Sequence, residues 1–222
     1  MLQFPGSCDE VDAVAAAGLV GEAELIWHGE RDLKGVDAIV VPGGFSYGDY
    51  LRAGAIARFS PAMESVIEFA QQGGLVIGIC NGFQVLCEAQ LLPGALLGNV
   101  NRRFTFRQLE LEVVNAETPF TRACEQGERL SIPAKHAWGR YYAGESTLAE
   151  MEQSGQVVLR YAPGENFNGS LGDIAGVCNA NANVFGLMPH PEHAVKQLTG
   201  GSSDGLKIFA SMRLAVEGAL AR

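Results

Sequence analysis

Short, continuous apolar runs alternate along this chain with longer stretches of helical periodicity. Residues near Glu24–Trp27 and Ala38–Val41 read as strands, and a helix follows near Pro61–Gln72. Leu75–Ile79 is the next strand, Phe83–Glu88 looks helical, and an amphipathic helix over Gly205–Leu220 closes the pattern. Strands that alternate with helices in this way predict a doubly wound, mostly parallel open α/β sheet, with its chemistry at the carboxyl ends of the strands. The middle, Arg103–Val114 and Gln156–Cys178, reads as shorter strands with turns, a small antiparallel extension. Ser7-Cys8-Asp9-Glu10 has the pattern of a capping box opening the Ala-rich helix Val11–Ala17, and Ala143–Thr147 reads as the cap of another helix. No linker, repeat or low-complexity segment divides the sequence, so residues 1–222 are expected to form one domain.

Composition narrows the setting. At 222 residues, 47% hydrophobic and with 28 glycines, the chain has enough apolar surface for a full core. No apolar run is long enough for a membrane span, and no basic segment leads into an apolar one at the N-terminus, so export is not expected. Cys8, Cys80, Cys87, Cys124 and Cys178 are odd in number, scattered and without a Cys-x-x-Cys pair. That pattern suits a reduced cytoplasm and not a zinc site. A net charge of −9 argues against a nucleic-acid backbone as partner.

The candidate chemistry lies where strands end. Gly78-Ile79-Cys80-Asn81-Gly82 joins an apolar strand to a helix, the arrangement of a nucleophile elbow with cysteine at its centre. The flanking glycines let strand and helix approach, and the positive end of the helix dipole behind Cys80 favours thiolate. Taken alone, the same residues describe a buried cysteine in a glycine-rich turn. Near the other end, Val184-Phe185-Gly186-Leu187-Met188 runs into Pro189-His190-Pro191-Glu192. Pro191 biases His190 toward extended backbone, where residues i and i+2 share a side, so Glu192 can orient the imidazole. Alone this is a stiff turn; with the elbow it completes a Cys–His–acid triad. Ile39-Val40-Val41-Pro42-Gly43-Gly44 ends a third strand in bare backbone, which would supply an oxyanion donor alongside the N–H of Asn81.

Together these segments resemble the class I, triad-type glutamine amidotransferases, whose fold is flavodoxin-like. The longer motif Val41-Pro42-Gly43-Gly44-Phe45-Ser46-Tyr47-Gly48-Asp49-Tyr50-Leu51-Arg52-Ala53-Gly54-Ala55 is similar to the glutaminase-subunit family of phosphoribosylformylglycinamidine synthase. So are Cys80–Gln84, Asn168-Gly169-Ser170 and Leu187–Glu192, and the resemblance runs from about Phe4 to the last helix. It implies Cys80 as nucleophile, His190 as base, Glu192 as its partner, and the Gly44 and Asn81 backbone as oxyanion hole. It places Gln84 and the segment His136, Ala137, Trp138 around the glutamine. It also implies a large ATP-dependent synthetase as partner, with a small bridging subunit, no metal, and no cofactor in this chain, since nothing here looks like a P-loop. The chain departs from the family in three places. Only Met1–Phe4 precede Pro5, which puts a start at Met1 in question; Ser7 meets Cys8 without an intervening Asn; and His136-Ala137-Trp138-Gly139-Arg140 replaces His-Gly-Glu-Gly-Arg. Two other readings stay open: a class I glutaminase serving histidine, vitamin B6 or guanine nucleotide synthesis, and a cysteine-elbow redox sensor or chaperone.

Overall fold

A computed structural model describes residues 1–220. Its elements in chain order are β1 (Leu2–Gln3), α1 (Glu10–Ala17), β2 (Ile26–Trp27), β3 (Ala38–Val41), α2 (Pro61–Gln71), β4 (Leu75–Ile79), α3 (Asn81–Glu88) and β5 (Ala95–Leu97). There follow β6 (Thr105–Val113), β7 (Arg129–His136), β8 (Arg140–Tyr142), α4 (Glu145–Gln153), β9 (Val157–Tyr161), β10 (Ile174–Cys178), β11 (Val184–Leu187), α5 (Gln197–Gly200) and α6 (Leu206–Leu220).

The principal sheet has the order β3-β4-β11-β10-β9-β6-β7. β3, β4 and β11 run parallel, and the parallel pair β1-β2 lies next to β3. Read across, with β1-β2 a separate two-stranded sheet beside β3, the order β2, β1, β3, β4, β11 is the doubly wound one, in which the chain reverses its direction of winding between β1 and β3. Its central strands are buried on both faces and so are almost wholly apolar: Ile39, Val40 and Val41 in β3, Val76, Ile77 and Ile79 in β4, Val184, Phe185 and Leu187 in β11. The crossover helix α2 begins at Ser60, whose hydroxyl accepts from the Met63 N–H with Pro61 at the first helical position, and it buries Ala62, Met63, Val66 and Ala70 at helical spacing.

The antiparallel extension is wider than the sequence pattern suggested, with β10, β9, β6 and β7 continuing the sheet beyond β11. β7 escaped the sequence reading because Pro133 interrupts it. A proline has no N–H for the ladder, but β7 is the edge strand and tolerates it. β2 is two residues long, shorter than the Glu24–Trp27 run. The capping box is not formed: Asp9 takes the N-cap position without a side-chain cap bond, while the Ser7 hydroxyl accepts from the Phe4 N–H. The Ala143–Thr147 segment does lead into a helix, α4, but Gly144 takes its N-cap position and no side chain caps it.

Candidate active site

The Cys80 elbow is the expected one. Cys80 sits between β4 and α3 at φ +52°, ψ −103°, a conformation that costs a side-chain-bearing residue about 1–3 kcal/mol. Its N–H donates to the Leu187 carbonyl at 2.8 Å, so β11 pins the turn. A Cβ on Gly78 would lie 2.6 Å from the Gly82 carbonyl, and one on Gly82 would lie 2.0 Å from the Val41 carbonyl oxygen. Both glycines are required by close approach, not by backbone angle.

His190 and Glu192 stand beside the elbow, both buried. His190 Nδ1 lies 2.6 Å from Glu192 Oε1. The route to that contact differs from the sequence expectation: His190 is non-helical at φ −107°, ψ +89°, but Glu192 belongs to a tight helical turn over Pro191–His193. The His190 N–H donates to the Pro133 carbonyl at 2.7 Å, so the edge strand β7 holds the His190 backbone in place. His190 Nε2 is buried and has no partner among the described protein atoms, which leaves it free for a thiol or a substrate. Burial works against a charged imidazole here. Glu192, and after it Cys80, outweigh burial and raise the His190 pKa well above the usual histidine range. The Cys80 thiol also points toward the Lys135 carbonyl at 3.9 Å.

Gly44, at φ +139°, lines the same cavity as Cys80 and His190. Among the described residues neither the Gly44 nor the Asn81 N–H is engaged in a hydrogen bond, as an oxyanion hole needs. The Asn81 side chain has its own role, which the sequence did not show. Its Oδ1 accepts from the Ser46 N–H at 3.0 Å, and its Nδ2 donates to Gln84 Oε1 at 2.8 Å and Asp49 Oδ1 at 3.3 Å. One amide thus ties the glycine-rich loop to the elbow.

Gln84, His136, Ala137 and Trp138 all line the cavity. Gln84 is already engaged, with its Nε2 donating to the Trp138 carbonyl, so it braces the turn over residues 136–139 as well as facing the cavity. That turn is built by Asn99, another residue missed from sequence. Asn99 Nδ2 donates to the His136 and Arg103 carbonyls, its Oδ1 accepts from the Gly139 N–H, and its own N–H donates to the Ala137 carbonyl. Asn168 and Ser170 grip the Gly139 carbonyl from the other side, which gives a structural role to the Asn168-Gly169-Ser170 motif. Burial, helped by His190, pushes the His136 pKa down to about 3, so this imidazole is neutral. Trp138 is half exposed at the rim.

Behind the triad lies a second charged group that sequence reasoning did not assemble. Asp9, buried, accepts from Lys135 Nζ and from His193 Nε2 at 3.0 Å, and its Oδ2 is 3.7 Å from His190 Nδ1. Asp9, His190, Glu192 and His193 offer ligand atoms within 4.8 Å of one another, a donor set a metal could use, but the Lys135 ammonium already neutralises Asp9. The only sequence signals were a second histidine one residue past Glu192 and an acid that looked like part of a helix cap.

Comparison with known proteins agrees with the geometry. Residues 2–213 match the CobB/CobQ-like glutamine amidotransferase domain. The subunit PurQ of phosphoribosylformylglycinamidine synthase from Mycobacterium tuberculosis is 57% identical over 217 residues, 97% of this chain and 96% of its own. The same-named subunit from Corynebacterium jeikeium is 55% identical over 213 residues, 96% and 95% of the two chains. Among solved structures, PurLQS from Thermotoga maritima superposes with a TM-score of 0.89 at 42% identity, covering 97% and 96%. A putative GMP synthase component from Thermoplasma acidophilum, at 13% identity and a TM-score of 0.64 over 100% and 96%, shares the fold. The chain therefore belongs to the glutamine amidotransferase family, within its branch of PurQ subunits of phosphoribosylformylglycinamidine synthase.

Proposed function

We propose that Cys80, His190 and Glu192 hydrolyse glutamine and that the ammonia serves the synthesis of formylglycinamidine ribonucleotide in purine biosynthesis. The observation that carries this reading is the buried His190–Glu192 pair beside a cysteine elbow whose flanking glycines are forced by packing. With its thiol proton held on His190, the Cys80 sulfur attacks the side-chain amide carbon, and the carbonyl oxygen becomes an oxyanion facing the Gly44 and Asn81 N–H groups. His190 gives its proton to the departing nitrogen, which leaves as ammonia with a thioester on Cys80. His190 then takes a proton from water, the hydroxide cleaves the thioester, and glutamate departs. Every step is served by protein groups of this chain, and ATP acts on the synthetase partner.

The partners are a large synthetase and a small bridging subunit, by likeness to the PurLQS assembly. Among the described residues no helix is long and apolar enough to cross a membrane. All five cysteines are free, which supports a reducing, cytoplasmic setting. The test is Cys80→Ala in the assembled enzyme. Glutamine-dependent product formation should vanish while ammonia-dependent synthesis continues. Near-normal use of glutamine by this variant would remove Cys80 from the mechanism.

A further inference from the structure

We propose that Asp9 is a positioning residue for His190, a second acid that faces the imidazole on the Nδ1 side where Glu192 binds and is held there by Lys135 and His193. The inference rests on the triad assignment and goes beyond it. Asp9 occupies the N-cap of α1, where an aspartate normally accepts from the helix N–H groups and stabilises the helix. It makes no such bond and turns its carboxylate inward instead. A buried ion pair is weak support for stability in its own right, so a helix cap given up for one calls for another explanation.

The surroundings supply that explanation. Asp9 Oδ1 is bonded to Lys135 and to His193, while Oδ2 is left 3.7 Å from His190 Nδ1. His193 Nε2 lies 3.0 Å from Asp9 and 3.7 Å from Glu192 Oε1, bridging the two acids. A Cβ on Gly43 would lie 2.5 Å from Asp9 Oδ2 and 2.8 Å from His190 Cε1, so the first glycine of the Pro-Gly-Gly turn leaves the gap through which acid and base approach. Lys135 is placed by β7, whose Pro133 carbonyl also holds the His190 backbone. Three separate segments thus converge on one imidazole.

Each catalytic cycle forms an imidazolium at His190. The charged and titratable groups that face it are Glu192 and His193 from its own turn, Cys80 from the elbow, Asp9 from the start of α1, and Lys135 and His136 from β7, with Asp49 across the cavity. Asp9 stabilises that cation without exchanging protons with it, and Lys135 tempers the effect. The two residues therefore act on His190 with opposite sign.

The test is the pH profile of kcat/KM for glutamine in the assembled enzyme, with ammonia-dependent synthesis as the control for folding. In Asp9→Asn the alkaline limb, set by loss of the imidazolium proton, should move to lower pH by about half a unit or more. In Lys135→Met it should move to higher pH, because Asp9 is then unopposed. Profiles that superimpose on the wild type, or shifts of the same sign in both variants, overturn the proposal. If Asp9→Asn does not fold, Lys135→Met alone decides by the same criterion. Cys80→Ala separates this idea from the one beneath it: retained glutamine turnover there sinks the triad, whereas an inactive Cys80→Ala with unmoved limbs sinks only the second acid.

Discussion

Gly82 meets Val41 with no space for a side chain: a Cβ on Gly82 would sit 2.0 Å from the Val41 carbonyl oxygen. The contact joins the first turn of α3 to the end of β3, and so fixes Cys80 relative to the Pro42-Gly43-Gly44 turn that follows β3. Gly82→Ala must push helix and strand apart. Overpacking of this kind costs about 1–3 kcal/mol. Its melting temperature and glutamine turnover should both fall. Gly218→Ala, in an exposed part of α6 with nothing near its Cβ, is the contrast and should hold or raise the melting temperature.

In the proposed mechanism Glu192 orients His190 and stabilises its cation, and it exchanges no proton. Glu192→Gln keeps a group of the same shape that can still meet Nδ1, but it loses the charge. Steady-state glutamine hydrolysis should therefore slow less in Glu192→Gln than in His190→Ala. Equal and total loss in two folded variants contradicts an orienting role.

Much of this site was legible in the sequence because strand ends and tight turns write themselves in glycine and proline. The elbow strand was read with its observed limits, Leu75–Ile79, and Cys80, His190, Gly44 and Gln84 do line one cavity with Glu192 behind. What stayed hidden depends on long-range pairing. Lys135 reaches Asp9 across 126 positions of chain, and Asn99 builds the turn at His136 from 37 positions away. The capping-box reading also failed. Local spacing paired Ser7 with Glu10 at the helix start, but Ser7 accepts from the Phe4 N–H, Glu10 from Gln3, and Asp9, at the N-cap position, turns to His193. Pro133 hid β7, since only the finished sheet order shows that this strand is at the edge.

His136 makes acid stability a measurable quantity. Its pKa falls from an ordinary 6.5 to about 3, because burial and His190 oppose a charge there. A depressed pKa contributes stability that is fully present above the unfolded value and is lost as pH falls toward the folded one. Each pH unit between about 6.5 and 3 should thus cost about 1.4 kcal/mol through this residue. His190 has the opposite sign: raised in the fold, it contributes fully below about 6.5 and loses that contribution as pH climbs. Denaturant unfolding from pH 7 to pH 4 should show a steep loss in the wild type and a shallower one in His136→Asn. Parallel slopes would rule out His136 as the source.

The isolated chain should be a poor glutaminase that becomes efficient in its assembly. The loop over Ser46–Asp49 holds Tyr47, Gly48 and Asp49 at φ +54°, +70° and +52°, and two of these three carry side chains. Such backbone persists only where its surroundings impose it. The restraints are the Asn81 bonds to Ser46 and Asp49, the Phe45, Tyr47 and Gly48 N–H groups on the Gly6, Pro5 and Phe45 carbonyls, and the Tyr47 hydroxyl 2.6 Å from His28 Nδ1. Next to it, Phe45, Tyr50 and Leu51 are exposed apolar side chains, Tyr50 at 91%, on the loop that carries the proposed oxyanion donor Gly44. A partner that covers them and binds only the competent loop shifts the population toward it. Moving from about 1:99 to 99:1 takes roughly 5.5 kcal/mol of differential binding. Adding the synthetase, its substrate and an ATP analogue should raise kcat for glutamine hydrolysis far more than it changes KM. Tyr47→Phe, which removes the latch to His28, should lower the turnover of the free chain by more than that of the assembly, because the partner replaces the lost restraint. A free chain that hydrolyses glutamine as fast as the assembled enzyme shows that the loop is already fixed and needs no partner.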